Sequence, residues 1–314
     1  MLFFTGLVGL LMAGAGAAFV GSHRSEDTEE DHLAAPEADE ASADAVVEDQ
    51  ILSGSAEDDH VSGAGGDDQI NGYGGNDSLY GGAGDDQLWG SEGDDALWGE
   101  AGEDTLSGER GDDSLRGADG ADLLRGGPGQ DTLSGEAGED CLQGGEGDDL
   151  LSGGAGDDVL QGGAGQDTLH GGAGADELDG NGGDDLLIGA SDPEEDQDGA
   201  DYLNGGTGAD TLVAGSGDSL SGGEDADSFA LGSWISADRP AVISDFDAQE
   251  DRLLVVYDPA QSLSPSLTLE EDAQGTWVTL DGQRVAQVQG AEGLSLEDLQ
   301  LVTRAVFEQQ TGFG

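Results

Sequence analysis

The sequence predicts an all-β protein in which short strands stack coil upon coil, and three observations carry that expectation. From Gly63 to Ile188 the chain runs through fourteen nine-residue units without a gap, each unit fixed at the same four positions. Glycine fills 59 of 314 positions and aromatic residues only 5%, so an ordinary globular core is out of reach. Seventy Asp and Glu face eight basic residues, all Arg, for a formal charge of −62. Composition alone would place the chain with disordered acidic proteins, because so little apolar burial does not offset the entropy of ordering. The period overrides that reading, since self-similarity at a fixed spacing is the signature of stacked repeat architectures.

Residues 1–22 open with MLFFTGLVGLLMAGAGAAFV, uncharged until Arg24. About 20 apolar residues is the length of a membrane-spanning helix, so one expectation is an anchor that associates with a membrane through residues 2–20. The other is a cleaved secretory signal: Ala13-Gly14-Ala15 and Ala15-Gly16-Ala17 have the small-residue cleavage pattern, although the basic n-region is missing. Residues 23–53 are acidic and short of large apolar side chains, and are expected to form a disordered linker kept extended by its own charge.

With units numbered one to nine from Gly63, positions one and four are always Gly and position eight is Ile70 followed by thirteen Leu. Position six is always Asp: Asp68, Asp77, Asp86, Asp95, Asp104, Asp113, Asp122, Asp131, Asp140, Asp149, Asp158, Asp167, Asp176 and Asp185. A weaker unit precedes at Gly54, with Glu57 in place of the second glycine. After the insertion ASDPEEDQD the register resumes with Asp201 and Asp210. The unit from Ala214 is one residue short, and the unit from Gly222 keeps Asp227 but has Asp225 at position four and Phe229 in the leucine column. Decay at both ends suits a stack whose terminal units have one neighbour. Residues 54–230 therefore form the predicted repeat domain.

Each unit divides into a glycine turn and a very short strand such as Val159-Leu160-Gln161, whose middle side chain faces inward. Glycines give the turn backbone angles that other residues resist and let its carbonyls face a common centre. Two units make one coil of eighteen residues, with leucine column facing leucine column across a thin interior. That interior is poor, and coils about 4.8 Å apart set carboxylate above carboxylate. A divalent cation reverses the sign of that repulsion. Ca²⁺ takes six to eight hard oxygen ligands in flexible geometry, from carboxylates and backbone carbonyls together, whereas Mg²⁺ demands a tighter octahedron.

The G-G-x-G-x-D-x-U-x array resembles the RTX repeats of hemolysin-type calcium-binding proteins. The resemblance implies a right-handed parallel β-roll with several Ca²⁺ ions, each held between turns two units apart. The ligands would be the sixteen position-six aspartates named above, in pairs such as Asp86 with Asp104, Asp95 with Asp113 and Asp149 with Asp167, completed by turn carbonyls. It also implies an extracellular or cell-surface protein of a Gram-negative bacterium, exported through type I secretion machinery that reads a C-terminal signal. Position five varies among Asp, Asn, Glu, Gln and Ala, so its side chain is not expected to be an essential ligand.

After Leu231 the glycine clock stops, and residues 231–314 alternate apolar and polar residues in short runs. They predict a small C-terminal β-rich cap, with Asp281-Gly282 as a two-residue hairpin turn and Ser295 with Asp298 opening a short helix. The segment LVTRAVFEQQTGFG is a candidate part of the secretion signal.

Several function classes are disfavoured. Nucleic-acid binding needs clustered Lys and Arg, which are lacking. A single cysteine, Cys141, excludes an internal disulfide framework and reads as a tolerated outward residue. Gly217-Asp218-Ser219-Leu220 imitates the start of a GDSL esterase block, yet no histidine follows His170. Asp196, Asp198 and Gly199 imitate an EF-hand loop but Gly205 stands where its bidentate Glu belongs. No H-E-x-x-H occurs. The expectation is a calcium-binding protein without catalytic activity, in a structural or adhesion role. A membrane-anchored envelope calcium buffer and a hydrolase or toxin relative lacking its catalytic domain are the alternatives. Tyr80, Trp89 and Trp98 occupy position nine, facing outward, with Tyr80 and Trp98 stacked across coils. They stiffen the early coils or contact a surface polysaccharide or protein.

Overall fold

The computed structural model describes residues 48–189, 199–291 and 294–311. Two units are distinguished, Met1–Val47 and Glu48–Gly314. The hydrophobic segment and almost all of the expected linker belong to the first unit and lie outside the described residues, as does the insertion at 190–198. Among the described residues no helix is long and apolar enough to cross a membrane.

Successive repeat units alternate between a 14-stranded and a 12-stranded sheet. Cys141–Glu146 pairs in parallel with Val159–Ala164 in the first, and Leu150–Ala155 with Thr168–Ala173 in the second. Register advances by one coil of eighteen residues, Leu142 to Leu160 to Leu178. Across the insertion Leu178 pairs with Leu203, so the seven added residues leave the register untouched, and the short unit is absorbed likewise, Leu203 pairing with Leu220. The molecule is thus an all-β parallel β-roll. Its interior is the expected leucine column, with every member from Leu79 to Leu187 at most 1% exposed.

The strands are longer than the three residues read from the repeat. Val159–Ala164 runs from position seven of one unit through position three of the next, burying both Leu160 and Gly162. The second inward position is the position-one glycine, and the strand continues through positions two and three before the chain bends at positions four and five. The position-two residue lies in the left-handed region whether or not it is glycine: Ala64, Ser91, Glu100, Ala118 and Glu136 have φ between 76° and 89°. Position-four glycines also have positive φ, from 95° at Gly66 to 156° at Gly129. The position-one glycines do not, so the expectation that they supply turn angles is corrected here.

At the N-terminal end Ile51–Ser53, assigned to the linker by composition, is a strand paired in parallel with Gln69–Gly74. It is held because Gln50 donates its N–H to Asp68 Oδ1 at 2.6 Å, filling a place in the carboxylate ladder described below. At the other end the glycine clock stops but the sheets continue. Ala241–Ile243 and Gln283–Val288 extend one sheet in parallel, and Arg252–Tyr257 and Leu299–Thr303 extend the other. One hydrophobic core runs from Ile70 through Val255 and Val288 to Leu294. Asp281 and Gly282, at φ 49° and 84°, make the expected hairpin turn between Gly275–Leu280 and Gln283–Val288.

The helix expected at Ser295 does not form. Asp298 accepts from the N–H and Oγ of Ser295 at 2.7 and 2.8 Å, closing a turn that leads into the strand Leu299–Thr303. The helix is Arg304–Thr311 instead. It lies against the outer face of the 12-stranded sheet, where Phe307 is buried among Ile188, Val213, Ala230, Val256 and Val302.

Candidate metal centres

The position-six aspartates lie immediately before the inward strands, and their side chains turn into the roll rather than out to solvent. Every one from Asp68 to Asp185, with Asp201 and Asp210, is at most 3% exposed. Their Oδ1 atoms form a ladder: the N–H of each aspartate donates to the carboxylate one coil further on. Asp86 donates to Asp104, Asp95 to Asp113 and Asp149 to Asp167, all at 2.8 Å. The pairs named from the repeat are therefore brought together. The ladder crosses the insertion without a break, Asp176 to Asp201 at 2.9 Å and Asp185 to Asp210 at 2.8 Å.

The second oxygen has a different fate. In Asp68, Asp77, Asp86, Asp95, Asp104, Asp113, Asp122, Asp131, Asp140, Asp149, Asp158, Asp167, Asp185 and Asp210, Oδ2 is buried without a hydrogen-bond partner. A buried, unsatisfied carboxylate oxygen is costly, and a file of them is a demand for positive charge. Position-one glycine creates the space around it. A Cβ at Gly135, Gly144 or Gly153 would stand closer than 3.0 Å to Oδ2 of Asp140, Asp149 or Asp158. The same point lies 2.6–2.7 Å from the carbonyl oxygen of Gly153, Gly162 or Gly171 on the next coil. The cradle is thus flanked by hard oxygens of the kind that suit a group-two cation.

Electrostatics agree with geometry. Burial first, and the neighbouring aspartates second, push the carboxyls of Asp104, Asp113, Asp158 and Asp185 up to about 7. Asp86, Asp122, Asp131, Asp167 and Asp210 are pushed up to about 6 by burial and neighbouring acidic charges. The backbone N–H bonds at Oδ1 act in the opposite direction without overcoming this.

Position five is placed differently from position six. Its side chains are exposed, and where they are Asp or Asn they accept a backbone N–H from the following coil, as Asp67 from Asp85 at 3.0 Å and Asp112 from Gln130 at 2.9 Å. The ladder also has members beyond the sixteen candidate ligands, among them Asp227, which the repeat register had named. Asp218 accepts from Asp201 and from Gly215 at 3.1 and 2.5 Å, Asp227 from Asp210 at 3.0 Å, and Asp251 from Asp227 at 3.0 Å. The signal that finds them is the short pattern D-x-U, in Asp218-Ser219-Leu220, Asp227-Ser228-Phe229 and Asp251-Arg252-Leu253, each ending in a buried core residue.

Ser219 is an exposed residue of the 14-stranded sheet, whereas His170 belongs to the 12-stranded sheet, so the esterase imitation is not assembled. Cys141 is exposed, as expected. Tyr80 and Trp98 do stack, with ring centroids 4.4 Å apart and planes 2° apart.

The sequence profile of the RTX calcium-binding nonapeptide repeat, four copies long, matches residues 48–79, 71–106, 80–115, 107–142, 116–151, 134–169, 152–187 and 196–229. These segments cover more than half of the chain, which belongs to that calcium-binding repeat family. Among curated proteins none matches the chain. Several solved structures are similar to it, two of them as follows. One is a hyperactive, Ca²⁺-dependent, β-helical antifreeze protein from an Antarctic bacterium, 18% identical, covering 85% of this chain and 89% of its own, with a TM-score of 0.34. The other is the extracellular lipase LipA of Serratia marcescens, 18% identical over 70% of this chain, with a TM-score of 0.22. The chain spans 40% of the length of that lipase.

Proposed function

We propose that this is a non-catalytic, secreted or cell-surface protein whose roll, residues 54–230, folds as it binds Ca²⁺ outside the cell, in a structural or adhesion role. Residues 231–314 would then close the stack and carry a type I secretion signal. The observation that carries the reading is the file of buried Oδ2 atoms lacking protein partners beside glycine carbonyls. Among the described residues no three His, Cys, Asp or Glu side chains converge on one point. The ligands proposed are therefore carboxylate pairs from adjacent coils, with main-chain carbonyls completing the set. When bound, Ca²⁺ would supply two positive charges and accept six to eight oxygen ligands. The aspartates hold it, and the position-one glycines keep its place open.

The coupling follows from charge. Without cations the stacked carboxylates repel one another and the chain stays open, a form suited to export. At the near-millimolar calcium outside cells, sites of the extracellular affinity class fill and the coils close. The test is circular dichroism with calorimetry during Ca²⁺ titration. Strand content should rise cooperatively with uptake of many ions and be reversed by chelator. Equal folding in chelator, or uptake of no more than one ion, overturns the proposal.

A further inference from the structure

The outer face of the 12-stranded sheet carries an arrangement that calcium binding does not use. His60, Tyr80 and Trp98 form a file of rings across three coils: His60 tilts against Tyr80 at 4.9 Å, and Tyr80 stacks flat on Trp98. The next member of the file is Arg116, paired in register with Trp98. Its guanidinium is held in an ion pair with Glu136 on the following coil. The indole face opposite Tyr80 therefore points along the sheet toward an ion pair, not a further ring. Beside it is an open depression of about 520 Å³, bordered by Trp98, Arg116, Glu100, Asp119 and Glu136 over a floor of small residues such as Ala101. Two of its lining residues, Glu100 at φ 80° and Ala118 at φ 89°, are left-handed position-two residues.

The charges sort the ligands. Glu100, Asp119 and Glu136, on a chain of net charge −62, repel an anion. A cation finds carboxylates elsewhere on this surface with no guanidinium beside them, and here it meets the opposing charge of Arg116. A neutral polyhydroxylated ring suits both signs at once: its C–H face covers the indole, while its hydroxyls donate to carboxylates and accept from the guanidinium. We propose that this depression binds a neutral pyranose unit of a polysaccharide, with Trp98 as the stacking platform and Glu100, Asp119 and Arg116 as hydroxyl partners. The site is a surface one, shallow in affinity and suited to repeated contacts with a polymer. It deepens the adhesion reading and rests on the folded, calcium-loaded roll proposed above.

The test uses the full chain in Ca²⁺, with calorimetry and tryptophan fluorescence against the neutral probes maltohexaose, cellohexaose and mannohexaose. Hexagalacturonate serves as the acidic probe and spermine as the cationic one. At least one neutral probe should bind, and Trp98→Ala should weaken it by about tenfold. Glu100→Gln should weaken it by about threefold or more, whereas Trp89→Ala, an outward tryptophan of the opposite sheet, should leave it unchanged. Ion count and circular dichroism of each variant are read in parallel, so that a missing sugar site is distinguished from a roll that does not fold with calcium. The proposal is overturned if no neutral probe binds at about 10 mM, if only hexagalacturonate or spermine binds, or if Trp89→Ala costs as much affinity as Trp98→Ala.

Discussion

The two oxygens of a single carboxylate divide the work at position six. Asp158 Oδ1 accepts the N–H of Asp140 at 2.8 Å, which holds one coil to the next, while Oδ2 faces the cradle left by Gly153. Asp158→Asn keeps the first acceptor, removes the charge, and offers a donor toward the Gly171 carbonyl. In chelator the variant should be more stable than the wild type by about 1–2 kcal/mol, since it relieves a buried charge pressed by Asp176 and Asp140. In calcium it should be less stable by about 1–3 kcal/mol, having lost a charged ligand. Strand content by circular dichroism in chelator and urea unfolding in calcium read the two effects, and a shift of the same sign in each sinks the division of labour. Gly153→Ala tests the cradle from the other side. Its Cβ would overlap Oδ2, so it should lower the ion count and cost about 1–3 kcal/mol in calcium through overpacking.

Among the elements, the repeat strands were legible because leucine and aspartate recur in fixed columns, and eighteen residues close one coil. Their length was not, because the strand continues through position-one glycine, whose inward direction no side chain announces. Its role as the wall of a carboxylate cradle shows only when the next coil is in place. After Leu231 the periodic signal ends and tertiary context decides. Ser295 and Asp298 satisfy each other in a turn, while the helix forms at Arg304–Thr311 where an apolar strip of the sheet needs cover. The candidate ligands themselves were readable from one column of letters; Asp227 was in register but stood outside the sixteen, and Asp218 and Asp251 were passed over because no full glycine pattern surrounds them. The helix makes a prediction at this scale. Phe307 is 1% exposed against the outer face, so Phe307→Ala should cost about 3 kcal/mol. The loss belongs to the C-terminal coils, and hydrogen exchange should rise there with the number of bound calcium ions unchanged. Fast exchange spread evenly along the whole roll would show that the helix supports more than its own end.

For the whole molecule the governing quantity is the proton and cation balance of the carboxylate file. In the folded chain without metal, Asp104, Asp113, Asp158, Asp185 and Asp227 titrate near 7, and Asp86, Asp122, Asp131, Asp167 and Asp210 near 6. An unfolded aspartate titrates at about 3.9. Between these values the folded form binds more protons than the unfolded one, so its stability falls as pH rises. The stabilisation is fully present below about pH 4 and is lost as pH rises through 6 to 7. With the proposed ligands, protons and calcium would substitute for one another at the same oxygens, and acidification would act oppositely in the two media. In chelator, lowering the pH from about 8 to about 5 should recover strand content in circular dichroism. In calcium, the same change should weaken ion binding in calorimetry, because each ion must displace protons from carboxyls that hold them tightly. A chelated chain equally unfolded at both pH values would mean that the file is not buried as a stack of interacting charges. The remaining acidic groups lie mostly on the outside, so filling the file leaves the roll strongly anionic. On the proposed adhesion reading, that surface would repel acidic polymers and leave short contacts with neutral ones as the means of attachment.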